Sequence, residues 1–103
     1  MTDQYYQRRQ VIEIFEFEED FLDELESEEL IECSQIDPSG DKLYDLDQVE
    51  RLRIICNLTR ELEVNLPGVE VILQMRENMI SMRRQFDQIL AVLIQELKIR
   101  FPG

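Results

Sequence analysis

Eleven carboxylates crowd the stretch from Glu13 to Glu32, at positions 13, 16, 18, 19, 20, 23, 24, 26, 28, 29 and 32, with no Lys or Arg among them. Side chains of this type could pair for general acid–base work or hold a hard cation such as Ca²⁺. Neither chemistry finds its other parts. Glu18, Glu19 and Asp20 do not have the spacing of an EF-hand loop. The chain has no His, which excludes His-based triads, His-ligated metals and His pH switching. No nucleophile–base set and no Gly-rich phosphate loop is present. The two cysteines, Cys33 and Cys56, are too far apart for a CxxC pair and read as free intracellular thiols. Carboxylate runs on a helix face are ordinarily solvated surface. The residues therefore predict no enzyme, no cofactor and no metal, and point instead to binding through charge.

The sign of that charge selects a partner. The 103 residues carry 23 Asp plus Glu against 11 Lys plus Arg, a net charge of −12. Residues 1–50 hold 17 acidic and 3 basic residues, whereas residues 51–103 hold 6 and 8. Such a surface repels phosphate backbones, so nucleic acid is disfavoured. A basic protein surface suits it. An apolar fraction of 44% excludes a disordered chain and allows a modest core. The N-terminus opens polar, as Met1-Thr2-Asp3-Gln4, which predicts no signal peptide. No apolar run is long enough to span a bilayer, and the expected location is the cytoplasm.

The elements that position these residues follow from spacing and punctuation. Val11, Ile14 and Phe15 recur at i, i+3, i+4 and predict a helix over 7–15, although the β-branched residues of Ile12-Glu13-Ile14 also allow a strand. A second helix over 18–28 buries Phe17, Phe21, Leu22 and Leu25. It turns Glu18, Glu19, Asp23, Glu24 and Glu26 to water, and these five are the candidate partner-binding residues. Residues 30–33 and 42–44 read as extended. Asp37-Pro38-Ser39-Gly40-Asp41 turns between them, so 30–44 forms a two-stranded wing. Asp45, with Gln48 three residues on, is a capping box for a helix over 46–62. That helix turns Val49, Leu52, Ile55, Cys56, Thr59 and Leu62 inward. Asn65 caps a last helix from 66 to about 100, with Pro67 in its first turn.

A helix of that length spans about 50 Å, more than a domain of this size covers. Ile72, Met75, Met79, Met82, Phe86, Ile89 and Leu93 follow spacings of 3 and 4 in alternation, the seam of a coiled coil. Leu73, Ile80, Leu90, Ile94 and Leu97 add a second stripe. Met75, Met79, Met82, Phe86, Ile89 and Leu93 are the candidate interface of a homodimer. The expected organisation is thus a domain over 1–64 followed by a coiled-coil helix over 65–103.

This order of elements resembles the MerR family of winged helix-turn-helix proteins over about residues 5–97. Tyr6 stands at the family's opening Tyr, Val11-Ile12 at its Leu-Ala, Leu22 at the Leu of its Thr-Leu-Arg-Tyr-Tyr motif, and Glu26 at the Glu that follows. Leu30-Ile31 matches the pair ending the unit, Lys42-Leu43-Tyr44 the wing's Arg-x-Tyr, and Asp47 to Leu52 the start of the next helix. Asn65 to Leu73 is similar to the segment opening the last helix in HspR-type heat-shock repressors and CbpM-type chaperone modulators. The resemblance implies a mainly α winged helix-turn-helix fold with a small β-hairpin wing and a long C-terminal dimerisation helix.

The departures carry the function. Where the family's recognition helix has Arg-Tyr-Tyr, this chain has Asp23, Glu24 and Leu25. A DNA reader needs cations on that element. Glu29 stands where the family has Gly, which predicts a slightly different backbone there. The metal-sensing relatives need thiolates at both ends of the dimerisation helix, and no Cys follows Cys56. The pattern is closest to the CbpM-type modulators, which bind the J-domain of a DnaJ-like co-chaperone, CbpA, and restrain it. The resemblance thus implies a J-domain as the partner of the acidic surface. The alternative is an HspR-like DNA-binding regulator, favoured by Arg8, Arg9, Lys42 and the segment from Asn65 to Leu73.

Overall fold

A computed structural model describes residues 4–101 of the protein. In chain order it runs β1 (Tyr5–Gln7), α1 (Arg8–Phe15), α2 (Glu19–Ser27), β2 (Gln35–Ile36), β3 (Lys42–Asp45), α3 (Leu46–Cys56), a π-helical turn (Asn57–Glu61) and α4 (Leu66–Arg100). The fold is mainly helical, as the spacing predicted. The chain divides into two compact units, Met1–Val69 and Glu70–Gly103.

In the first unit the core is built from one or two residues per element: Val11 of α1, Leu22 and Leu25 of α2, Tyr44 of β3, Leu52 and Ile55 of α3, and Val69, all fully buried. Residues 8–15 form a helix rather than a strand, because the i, i+4 spacing of Val11 and Phe15 puts both toward this core. Ile14, at 54% exposure, is left outside.

The wing differs from its expected form in two ways. β1 adds to β3 in antiparallel register, with Tyr5 opposite Asp45, Tyr6 opposite Tyr44 and Gln7 opposite Leu43. The sheet therefore has three strands in the order β1-β3-β2. The two tyrosines serve as strand residues, which β-propensity favours. Leu30-Ile31 is not extended. The Leu30 N–H donates to the Leu25 carbonyl (2.9 Å) and the Glu29 N–H to that of Glu26 (3.1 Å), which closes α2 in a Schellman motif. Leu30 and Ile31 are both buried by it. Glu29 sits at φ 59°, so it adopts the left-handed conformation that a glycine would supply and the backbone does not diverge there.

Both predicted caps form. Asp45 accepts from the Gln48 N–H (3.0 Å) and Asn65 from the Gly68 N–H (2.9 Å). The reciprocal half of the Asp45 box is replaced by a longer link, because the Gln48 side chain accepts from the Glu32 N–H (3.1 Å) instead. The helix predicted over 46–62 runs as α-helix to Cys56 and continues without a break as a π-helical turn to Glu61. Within that turn the Thr59 hydroxyl donates to the Ile55 carbonyl (2.9 Å), a side-chain bond of the kind that bends helices. Leu62, expected inward, is consequently 67% exposed.

The second unit is the body of α4. Met75, Met79, Met82, Phe86, Ile89 and Leu93 are each more than half exposed in the single chain. Ile80, Leu90, Ile94 and Leu97 of the second stripe are also exposed.

Candidate functional site

The acids of α2 fall on two faces. Steps of four and three place Glu19, Asp23 and Glu26 on one side of the helix, and all three converge on Arg8 in the first turn of α1. The Arg8 guanidinium donates to Glu19 (3.3 Å), Asp23, Glu26 and the Tyr44 hydroxyl (2.9 Å). Glu26 is the centre of this group. It also accepts from the Tyr44 hydroxyl (3.0 Å) and from Lys42 Nζ (3.0 Å). Three elements, α1, α2 and β3, are thereby joined through one carboxylate.

Burial makes the junction strong. The side chains of Arg8 and Glu26 are only 18% and 16% exposed, whereas Glu19 and Asp23 remain 68% and 64% exposed. Burial opposes the charge on Glu26, but its donors Lys42, Arg8 and Tyr44 more than offset that and hold its carboxyl below the usual range. Burial likewise opposes the charge on Arg8, and its bonds to Glu26 and Tyr44 raise it all the same. The Tyr44 phenol is pushed up to about 12, first by burial and then by the Glu26 charge, against the lowering effect of Arg8.

The neighbouring, solvent-facing side of α2 is different. Asp20 and Glu24 lie four residues apart on the side away from Arg8, and both are exposed. Among the described residues neither forms an ion pair, nor does Glu18, which occupies the cap position before α2. Of the five predicted surface acids, Glu26 is thus a half-buried structural hub rather than a water-facing residue. Glu19 and Asp23 are exposed but tied to Arg8. Glu18 and Glu24 are available to a partner. Asp20, outside those five, shares the exposed side of Glu24 through its i, i+4 relation. Arg8 also changes role, from a candidate DNA contact to an internal counter-ion.

At the wing tip, Asp37 accepts from Ser39 and from the Asp41 N–H (2.9 Å). The Ser39 hydroxyl first, and then these backbone N–H groups, hold its carboxyl below the ordinary range. Gly40, at φ 92°, makes the turn possible. Between the wing turn, α1 and α2 lies an open cleft of about 850 Å³, lined by Arg9 and Lys42 as well as by Glu13, Glu19, Asp23 and Asp41. Both signs of charge meet there. Cys33 and Cys56 are free thiols, and burial pushes the Cys56 thiol up. Among the described residues no group of three His, Cys, Asp or Glu side chains is placed to hold a metal. No described helix is long and apolar enough to cross a membrane.

The order of α1, α2, wing, α3 and long α4 now has a match: residues 6–90 fit the family model described as MerR HTH family regulatory protein. The chain belongs to that family. None of the curated proteins searched matches it. In this MerR-family chain, α1 and α2 form the helix-turn-helix and β2–β3 the wing. The match extends through the Met-rich part of α4. The acids of α2 therefore sit on the second helix of the helix-turn-helix, the element whose charge is decisive for whether this fold can approach DNA.

Proposed function

We propose that this MerR-family protein is a non-enzymatic, protein-binding modulator that has given up DNA reading, and that its partner is the basic face of a J-domain in a DnaJ/CbpA-like co-chaperone, whose activity it restrains. One observation carries the reading. The second helix of the helix-turn-helix has no cation of its own, and the one Arg that reaches it, Arg8, is consumed by Glu19, Asp23 and Glu26. What remains outward is Glu18, Asp20 and Glu24, a surface that a phosphate backbone is repelled by and a basic helix is drawn to. The J-domain itself comes from the resemblance to CbpM-type modulators. The protein works as a homodimer through the Met75–Leu93 seam of α4, in the cytoplasm.

The test is titration of a fluorescent J-domain with the protein at two salt concentrations. Binding is expected at low salt and weakens as salt rises, since screening removes the steering charge. Asp20→Lys with Glu24→Lys, which leaves the Arg8 junction intact, weakens it about tenfold or more. Absence of J-domain binding at low salt, together with a gel shift on promoter DNA, would establish the HspR-like regulator instead.

A further inference from the structure

The buried core consists of aliphatic side chains, Cys56 and Tyr44, and none of the five phenylalanines belongs to it. Phe is among the residue types most often enclosed. Phe86 and Phe101 lie on or just beyond α4. The other three, Phe15, Phe17 and Phe21, gather at the turn of the helix-turn-helix, and each stays partly open to water. They hold one another. The rings of Phe15 and Phe17 stack with centroids 6.3 Å apart and planes 7° from parallel. The ring of Phe21 meets Phe17 edge-on, at 5.4 Å and 67°. Both are favoured aromatic arrangements. Arg60 fixes the same turn by donating to the Glu16 carbonyl (2.7 Å).

Carboxylates frame this aromatic row. Residues 13–24 hold seven acids and no Lys or Arg. Glu18 and Glu24 stand three positions to either side of Phe21, which makes them its neighbours on the helix surface, and both are exposed. The frame selects the occupant. Aromatic faces by themselves suit stacked bases or a lipid surface. A nucleic acid or an anionic lipid brings phosphates, which these carboxylates repel. A second copy of this turn presents the same acids and is opposed in the same way. What fits is a helix of a protein partner that carries an aliphatic stripe with Lys or Arg beside it. The stripe covers the rings while the cations meet the acids at the rim. In such an interface the apolar anchors set affinity and the charges set the rate of encounter.

We propose that the row of Phe15, Phe17 and Phe21 is the apolar anchor of the partner-binding surface, and that it takes a basic amphipathic helix. The proposal rests on the protein-binding role given to α2 in the preceding section and adds what sets affinity there. Two probes test it on the full chain. One is a fluorescent J-domain. The other is a synthetic helical peptide with a Leu stripe flanked by Lys, compared with a control peptide in which Gln replaces each Leu. The J-domain and the Leu peptide are expected to bind, and the Gln peptide about tenfold or more weakly. Phe17→Ala with Phe21→Ala, checked for folding by circular dichroism, weakens both probes about tenfold or more and leaves the salt dependence, which the acids supply, unchanged. Because half-buried rings also support the fold, a second measurement uses the unmutated chain labelled with para-fluorophenylalanine. The fluorine resonances of Phe17 and Phe21 shift on binding, and those of Phe86 and Phe101 do not. J-domain binding with the Phe17 and Phe21 resonances unmoved overturns the anchor and leaves the J-domain reading standing. Peptide binding at these rings without J-domain binding overturns the J-domain reading and leaves the anchor standing. Equal binding of the Leu and Gln peptides reduces the surface to charge alone and overturns the proposal, as does failure of both probes to bind.

Discussion

The first unit and the body of α4 handle exposed chemistry in opposite ways. Residues 4–69 enclose a small core and draw two mostly buried charges, Arg8 and Glu26, into one hydrogen-bonded junction. Helix α4 leaves its apolar seam open. The first unit is completed by contacts within one chain. The second is a helix whose stability depends on tertiary or quaternary burial of its apolar face, as helical stability usually does. On the function proposed above, a sequence that concentrates acid in one region and apolar spacing in another separates recognition from assembly.

That separation can be broken most sharply at the seam. Phe86→Asp places a charge at an a position and is expected to lower self-association by at least about a hundredfold, on the scale of burying an unpaired charge. Sedimentation shows single chains, while the J-domain affinity of each chain is retained. An unchanged mass would mean that Phe86 is not in an interface at all.

The converse change is Glu26→Gln. It removes the most buried of the three carboxylates around Arg8, leaving Glu19 and Asp23, and is expected to destabilise the first unit by about 1–3 kcal/mol in urea unfolding, the scale of a charge-assisted bond lost at a half-buried site. Its effect on sedimentation is small. The variant also alters the acid limb of stability. Because the folded carboxyl of Glu26 lies below its ordinary value, its contribution is present at neutral pH and disappears as pH falls through the folded value. Glu26→Gln lacks that component.

Tyr44 supplies the alkaline counterpart. A phenol raised to about 12 favours the neutral form in the folded state. Its contribution is complete below about 10, the ordinary phenol value, and is lost as pH rises toward 12. Thermal melting across that window shows a decline in the native chain that is absent in Tyr44→Phe. An identical decline in both would remove Tyr44 from the junction. The smallest expected effect is Glu29→Gly, which relieves a left-handed backbone at φ 59° and stabilises by about 0.5–1 kcal/mol, below the usual cost for an L-residue there. A loss of stability would show that the Glu29 side chain contributes more than its backbone strain removes.

Much of this architecture was legible in local spacing. The limits of α1 and α2, the caps at Asp45 and Asn65, the seam of α4 and the membership of Leu22, Leu25, Leu52 and Ile55 in the core all depend on residues a few positions apart. The misses share a different cause. The strand β1 exists because Tyr5–Gln7 finds β3 nearly forty residues away. The change of α3 from α to π geometry after Cys56, where the Thr59 hydroxyl bonds the Ile55 carbonyl, has no periodicity signal. Leu30-Ile31 looks extended by composition and is folded under α2 by its C-terminal motif.

The candidate surface divides in the same manner. By itself the sequence determined that α2 is acidic, that no cation lies on it, and that α4 carries an uncovered seam, because charge count and helical period are properties of the chain alone. Only the tertiary structure decided which of these acids are tied up internally and which stay exposed. Arg8 lies 15 positions from Asp23 and 18 from Glu26, and no local pattern ties them. The fold brings them together because Val11 of α1 and Leu22 and Leu25 of α2 are buried in one core. That packing leaves Glu26 half buried, where a carboxylate persists only with donors around it. Asp20 and Glu24, on the outer side of the same helix, are left to water.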